Sequence, residues 1–352
     1  MVINLTGDNI MKALKKIFIL AAAVLSQTAF AQTTIKIASV APARSSWDVQ
    51  QRQIAKEWAT ITNGEIILQF MTSDAMGGEG GVVKKLNSVR PGQKAPIGGA
   101  VFTSMGLDDF APKSNVMTLC APFMFRSQDE VNAVLKEFTP TMQKAFDEKG
   151  YVVLGWFNIG WAYFFTSKPA YTPDELRKVR LAIGGLTSPA LSNAFKSAGY
   201  LTQDVPADKL QSSISSGDVE GLFTIPMYAY AAQYYKNLVN VNNIPLAPVM
   251  VGFIMNKKDW EAIPDKYKPA LMQSIKKAEA KFIADQKKMD AEYINLCVKN
   301  GCKVFDPTDA QKKVWEDSFR KDLHFMYEGT NPVVNKQFYE QIEAFLKKYR
   351  GE

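Results

Sequence analysis

The single histidine of this 352-residue chain, His324, is the natural starting point for any catalytic reading. It sits in Arg320-Lys-Asp-Leu-His324-Phe325 with no nucleophile motif beside it, and reads as a surface or partly packed helix residue. No Gly-x-Ser-x-Gly elbow is present. Asp108 and Asp109 are adjacent and should diverge rather than share a site, although a glycosidase-like pair at long range stays open. Zinc is not expected, because His324 is alone and Cys120, Cys297 and Cys302 lack paired ligand spacing. Gly77-Gly-Glu-Gly-Gly81 carries neither a dinucleotide fingerprint nor a Walker Lys-Ser/Thr, so it reads as a tight turn at which backbone approaches a small ligand. No cofactor and no catalysis are expected.

Binding is the better chemistry. Apolar walls with a few orienting hydrogen-bond groups make a small-molecule cleft. That mixture recurs at expected strand ends: Ser45, Ser46 and Trp47; Thr103 and Ser104; Trp156 and Trp161; Phe223 and Thr224, with Tyr228 just beyond.

These residues need a frame, and alternating strand and helix patterns supply one. Ile35–Val40, Glu65–Phe70, Ile97–Phe102, Tyr151–Phe157, Ala162–Ser167, Val179–Ile183 and Lys303–Phe305 read as strands. Between them, Trp47–Thr62 has helical spacing and ends at Asn63-Gly64, and Ala190–Ala198 ends at Gly199. Ser127–Lys149 is helical with a break expected at Thr139-Pro140. Lys209–Pro226 reads as a helix stopped by Gly217, an apolar run, and a helix opened by Pro226. Such a junction lies at the mouth of an α/β sheet, where ligands are usually held. Pro264–Asn300 has apolar residues at three- and four-residue steps and would run about 50 Å as one helix, long enough to brace two domains. The expected class is α/β with mainly parallel sheets.

Met11-Lys-Ala-Leu-Lys-Lys16 and the apolar run after it end in Ala29-Phe-Ala31, the pattern of a cleaved export signal, with Met11 a better start than Met1. Without residues 1–31 the net charge falls from +7 to +5, spread along the chain, and no arginine-rich block suggests nucleic acid. A protein exported to the periplasm, with no membrane span after signal removal, is expected. There, Cys297 and Cys302, on either side of Asn300-Gly301, form a candidate disulfide, or stay as two thiols.

The chain resembles the DctP-type periplasmic receptors of TRAP transporters. The likeness rests on Ile35-Lys-Ile-Ala-Ser-Val-Ala-Pro42 with Trp47, Ile54-Ala-Lys-Glu-Trp58, Gly77-Gly-Glu79, Pro122-Phe-Met-Phe-Arg126, Pro173-Asp-Glu-Leu176, Leu210–Gly221 with Pro226, and Asn256-Lys-Lys-Asp-Trp260. The resemblance implies two α/β domains hinged around a cleft, spanned by a long helix: 32–157 with about 246–285, and 158–245 with about 286–352. It also implies a ligand trapped by closure and delivered to small and large permease subunits driven by an ion gradient. A family arginine that grips an organic acid corresponds to Ala182 without a gap after Leu176, or to Arg180 with a two-residue gap. Leu222-Phe-Thr-Ile-Pro226 replaces the Gln-Glu-Asn-Pro of many acid-binding members, so a bulkier or more hydrophobic acid, or a non-acid, is expected. A sensing module reporting to a membrane kinase or scaffold is the alternative, and an exported hydrolase ranks last.

Overall fold

A computed structural model describes residues 32–89, 95–183, 189–330 and 332–352; the expected export signal lies outside the described residues. The described residues build two sheets. The first joins β1 (Thr33–Ser39), β2 (Ile66–Thr72), β3 (Gly99–Thr103), β4 (Tyr151–Trp161) and β10 (Pro248–Asn256) in the order β2-β1-β3-β10-β4. The second joins β5 (Tyr163–Thr166), β6 (Leu181–Ala182), β7 (Thr202–Gln203), β8 (Gly221–Thr224), β9 (Asn240–Asn242) and β11 (Lys303–Phe305) in the order β11-β9-β5-β8-β6-β7.

Parallel pairing holds five of the nine ladders, β1 with β2 and β3, β6 with β7 and β8, and β9 with β11. The first sheet is antiparallel on its β10 and β4 side and the second around β5, so both are mixed. In the first, β10 returns from far along the sequence and inserts between β3 and β4. Its Pro248–Asn256 run is buried on both faces, so it lacks the alternation that marks a half-exposed strand.

Helices cover both faces of the first sheet. Ser46–Ile61 starts where the Ser45 side chain accepts from the Asp48 N–H, and the chain leaves it through Asn63 and Gly64 at positive φ. Its Trp58 is fully buried and donates Nε1–H to Ser274 Oγ at 3.1 Å, tying this helix to the long one. On the other face, Gln128–Glu148 packs Val131, Val134, Met142 and Phe146 inward as one stripe. That helix does not break at Pro140. The proline is exposed, so the carbonyl it leaves unpaired one turn earlier can reach water, while the apolar stripe on the far side continues.

The long helix is Lys268–Lys299, 32 residues, opened by Pro269 in its first turn. Leu271, Ile275, Ala278 and Phe282 pack in the core of the first sheet, while Ile294 and Cys297 belong to the core that includes the second. It therefore spans both lobes, at about 48 Å. Two further strands cross beside it. The link from β4 to β5 runs through Gly160, Trp161 and Ala162, and pairs with the chain entering β10: Ala162 N donates to Ala247 O and Leu246 N to Ala162 O, both at 2.9 Å. Among the described residues, no helix is long and apolar enough to cross a membrane.

Candidate ligand-binding cleft

The carboxyl ends of β1, β2 and β3 in one lobe face those of β8 in the other, the place where open α/β sheets hold ligands. Between them lies a chamber of about 150 Å³. Val40 follows β1, Ser73 and Asp74 follow β2, and Thr103 ends β3; Phe223 and Thr224 end β8, with Tyr228 on the helix Pro226–Ala231. Local sequence makes this junction. Gly217 caps the helix Ala207–Ser216 at φ +82°, in the left-handed region, and Pro226 opens the next helix at its first turn.

Five of the residues singled out in the sequence meet here: Trp47, Thr103, Phe223, Thr224 and Tyr228. Phe223 is held rigidly, stacked on Phe195 at 5.7 Å between centroids and edge-on to Phe164 at 5.9 Å. Tyr228 sits 5.9 Å from Tyr234, also in the lining. Burial, and then the charge of Asp74, push the Tyr228 phenol above its ordinary range.

Glu79, which the sequence offered only as part of a glycine-rich turn, is the most buried charged residue of the cleft, 3% exposed. Its Oε1 accepts from Thr103 N at 2.6 Å and its Oε2 from Thr103 Oγ1 at 2.8 Å. Burial pushes this carboxyl up to about 7, against the pull of the two Thr103 hydrogen bonds. The glycines around it serve the backbone: a side chain at Gly81 would strike the Met76 carbonyl at 1.8 Å.

A second chamber of about 90 Å³ adjoins the first and shares Thr103, Met105, Ala162, Phe223 and Val249 with it. Ser104 lines it, but its hydroxyl donates to Met250 O at 3.2 Å and accepts from Cys120 Sγ at 3.0 Å. Beyond these the wall is apolar, closing on Met326, Val333 and Val334.

The remaining candidates lie elsewhere. Arg180 is not in the cleft. It precedes β6 and turns to the surface, where its guanidinium donates to Gly217 O and Asp218 O and lies 3.3 Å from Glu220. Only Leu181 and Ala182 of the expected strand Val179–Ile183 pair in the sheet. Ala182 is buried beside Leu222 of the cleft wall, so the alternative position carries a methyl group and no charge. Trp156 is also away from the cleft, 6.0 Å from Phe146 beneath the helix Gln128–Glu148, because its side of β4 faces that helix.

Trp161 faces a third cavity, of about 630 Å³, behind the crossover strands and shared with Gln128, Asn243, Asp290 and Asn295. There Asp290 Oδ2 accepts from Trp161 N at 3.0 Å and from Gln286 Nε2 at 2.6 Å, and burial pushes the carboxyl up to about 7. Cys297 and Cys302 lie side by side as thiols, hydrogen-bonded to each other, which together with burial raises the Cys297 thiol. Cys302 Sγ also lies within reach of the Tyr235 and Leu238 carbonyls.

The profile of the family described as bacterial extracellular solute-binding protein, family 7 (DctP), matches residues 37–330. The chain belongs to this family. A solute-binding protein of Verminephrobacter eiseniae is 24% identical over 293 residues, 82% of this chain and 83% of that protein. A TRAP periplasmic solute-binding protein from Sulfurospirillum deleyianum, crystallised with bound succinate, has a TM-score of 0.75 at 20% identity, covering 89% of this chain and 99% of that one. An extracytoplasmic solute receptor of Bordetella pertussis binding pyroglutamic acid has a TM-score of 0.75 at 16% identity, covering 90% and 99%. The fold is that of the TRAP periplasmic solute-binding proteins.

Proposed function

We propose that this protein is a periplasmic receptor that captures one small organic molecule between its lobes, closes on it and hands it to membrane permease subunits. The observation that carries this reading is the meeting of strand ends from two sheets around a chamber walled by Trp47, Thr103, Phe223, Thr224 and Tyr228, in a chain of the solute-binding family. The lobes are joined by the strand pair at Ala162 and Leu246–Ala247, by the helix Lys268–Lys299, and by the chain between the helix Asp309–Asp322, on the second lobe, and the helix Lys336–Arg350, on the first, an arrangement suited to hinge bending. The domain halves in this reading are 32–157 with about 246–285, and 158–245 with about 286–352, although the last helix, Lys336–Arg350, packs on Gln128–Glu148 of the first half.

The chain acts as a receptor and not as an enzyme, exported and soluble once residues 1–31 are removed. Organic acids are the ligands of the related receptors cited above, and they form the first panel to try here. Ligand that binds only the folded protein stabilises it by about 2.7 kcal/mol at a hundred times its Kd. A thermal-shift screen of organic acids, amines, alcohols and amino-acid derivatives, with native mass spectrometry of the freshly purified protein, should find a one-to-one ligand released unchanged. Small-angle scattering should show a more compact particle when it is bound. Absence of any ligand in both experiments, or chemical turnover of the bound molecule, would refute the proposal.

A further inference from the structure

The described lining of both chambers contains two carboxylates, Asp74 and Glu79, and no lysine or arginine. A bare carboxylate or phosphate placed in this cleft would lose its water and face like charge, with no guanidinium to replace the hydration. Glu79 meets the opposite need. Each carboxylate oxygen can accept more than one hydrogen bond, and Thr103 uses one on each. A donor on the ligand, an ammonium or a hydroxyl, fits that remaining capacity. Trp47, Tyr228 and Tyr234 add π-faces and phenols to the same chamber, which favour a cationic head. The second chamber offers the reverse chemistry. Its hydroxyl and thiol, Ser104 and Cys120, bond to each other, and the rest is Met117, Leu191, Met326, Val333 and similar side chains. Apolar surface there can be covered only by apolar surface.

We infer that the ligand is amphipathic, placing a hydrogen-bond-donating head, an ammonium or hydroxyl, against Glu79 and an apolar tail past Thr103 and Phe223, which both chambers share, into the chamber closed by Met326 and Val333. The inference rests on the receptor reading and specifies which end of the molecule each wall selects. Any anionic group the molecule also carries stays outside these two chambers.

Three probes with one tail and different heads separate the possibilities: hexylamine, hexanol and hexanoate, titrated calorimetrically against the full mature chain, with succinate as a tail-less acid. Hexylamine and hexanol should bind at least about tenfold tighter than hexanoate or succinate. Glu79→Gln should shrink the advantage of hexylamine over hexanoate by at least about tenfold, since it removes the charge and keeps an acceptor. Val333→Trp, which fills the tail chamber, should weaken all three hexyl probes together and leave their order unchanged. Tightest binding by hexanoate or succinate overturns the inference and leaves the receptor reading standing. So does a natively retained molecule that lacks either a donor head or an apolar tail. If no probe binds and native mass spectrometry finds nothing, the receptor reading fails as well. The head-group order in the unmodified protein decides the matter even if a variant does not fold.

Discussion

Asp290→Asn should make the protein clearly more stable at pH 8, less so at pH 5 and hardly at all at pH 4. Asp290 is 6% exposed and holds the crossover backbone by accepting from Trp161 N, with Gln286 Nε2 on the same oxygen. Burial raises its carboxyl from an ordinary 3.8 to about 7. The folded state therefore binds the proton more tightly than the unfolded chain. Stability is greatest with the proton in place, below the unfolded value. It falls as the pH rises from about 4 through 7, and stays low above that. The interval between the two values corresponds to about 4 kcal/mol at full ionisation. Asparagine can present its carbonyl oxygen to the same two donors and has no charge to desolvate. The stability gap between variant and parent should then open from about pH 4, stand at about 2 kcal/mol at pH 5 and level off above pH 7 at up to about 4 kcal/mol. Glu79 and Asp108, whose carboxyls burial also pushes up to about 7, are common to both proteins and cancel in the difference. Tyr163 beside the site is held protonated by burial and then by the Asp290 charge, so it adds no step in this range. Urea unfolding followed by circular dichroism at pH 4, 5, 6, 7 and 8 gives the gap directly. A gap that does not change with pH, or an Asn variant that is the weaker protein at pH 8, would refute the reasoning.

Arg350→Ala should cost about 3–5 kcal/mol, because it strands the buried Glu130, which now receives Arg350 Nε at 2.8 Å and Nη2 at 2.7 Å. Burial pushes Glu130 up, but the Arg350 and Arg126 hydrogen bonds more than offset it and leave the carboxyl low. The loss should be full above the ordinary carboxylate range and shrink as acid protonates Glu130 in the folded state, which urea titrations from pH 7 to 3 would show. Gly217→Ala should cost about 1–2 kcal/mol from the left-handed backbone alone, since no atom lies within 4 Å of the added methyl; a thermal melt checks it. Arg180→Ala should leave calorimetric affinity for any bound probe within about twofold and stability within about 1 kcal/mol, as a half-exposed surface pair is lost together with two hydrogen bonds to carbonyls at the surface.

Much of the frame was readable in one dimension because its signals are local. Gly217 and Pro226 bound the β8 junction through their own backbone preferences, and the helix Lys268–Lys299 announced itself by apolar spacing. Pro140 misled for the same reason: a local rule gave a break, and packing along the buried stripe overrode it. β10 was missed because a strand buried on both faces has no period to detect.

The residue types and spacings by themselves determined the family, the strand-end placement of Trp47, Thr103, Phe223, Thr224 and Tyr228, and the long brace, since each depends on neighbours a few positions away. Only the tertiary structure decided what those residues face. It brought Glu79 onto Thr103, 24 positions apart, and turned Arg180 outward to carbonyls 37 and 38 positions on. The charge of a cleft is a sum over side chains from distant strands, and a one-dimensional pattern gives their identities without the direction in which each one points.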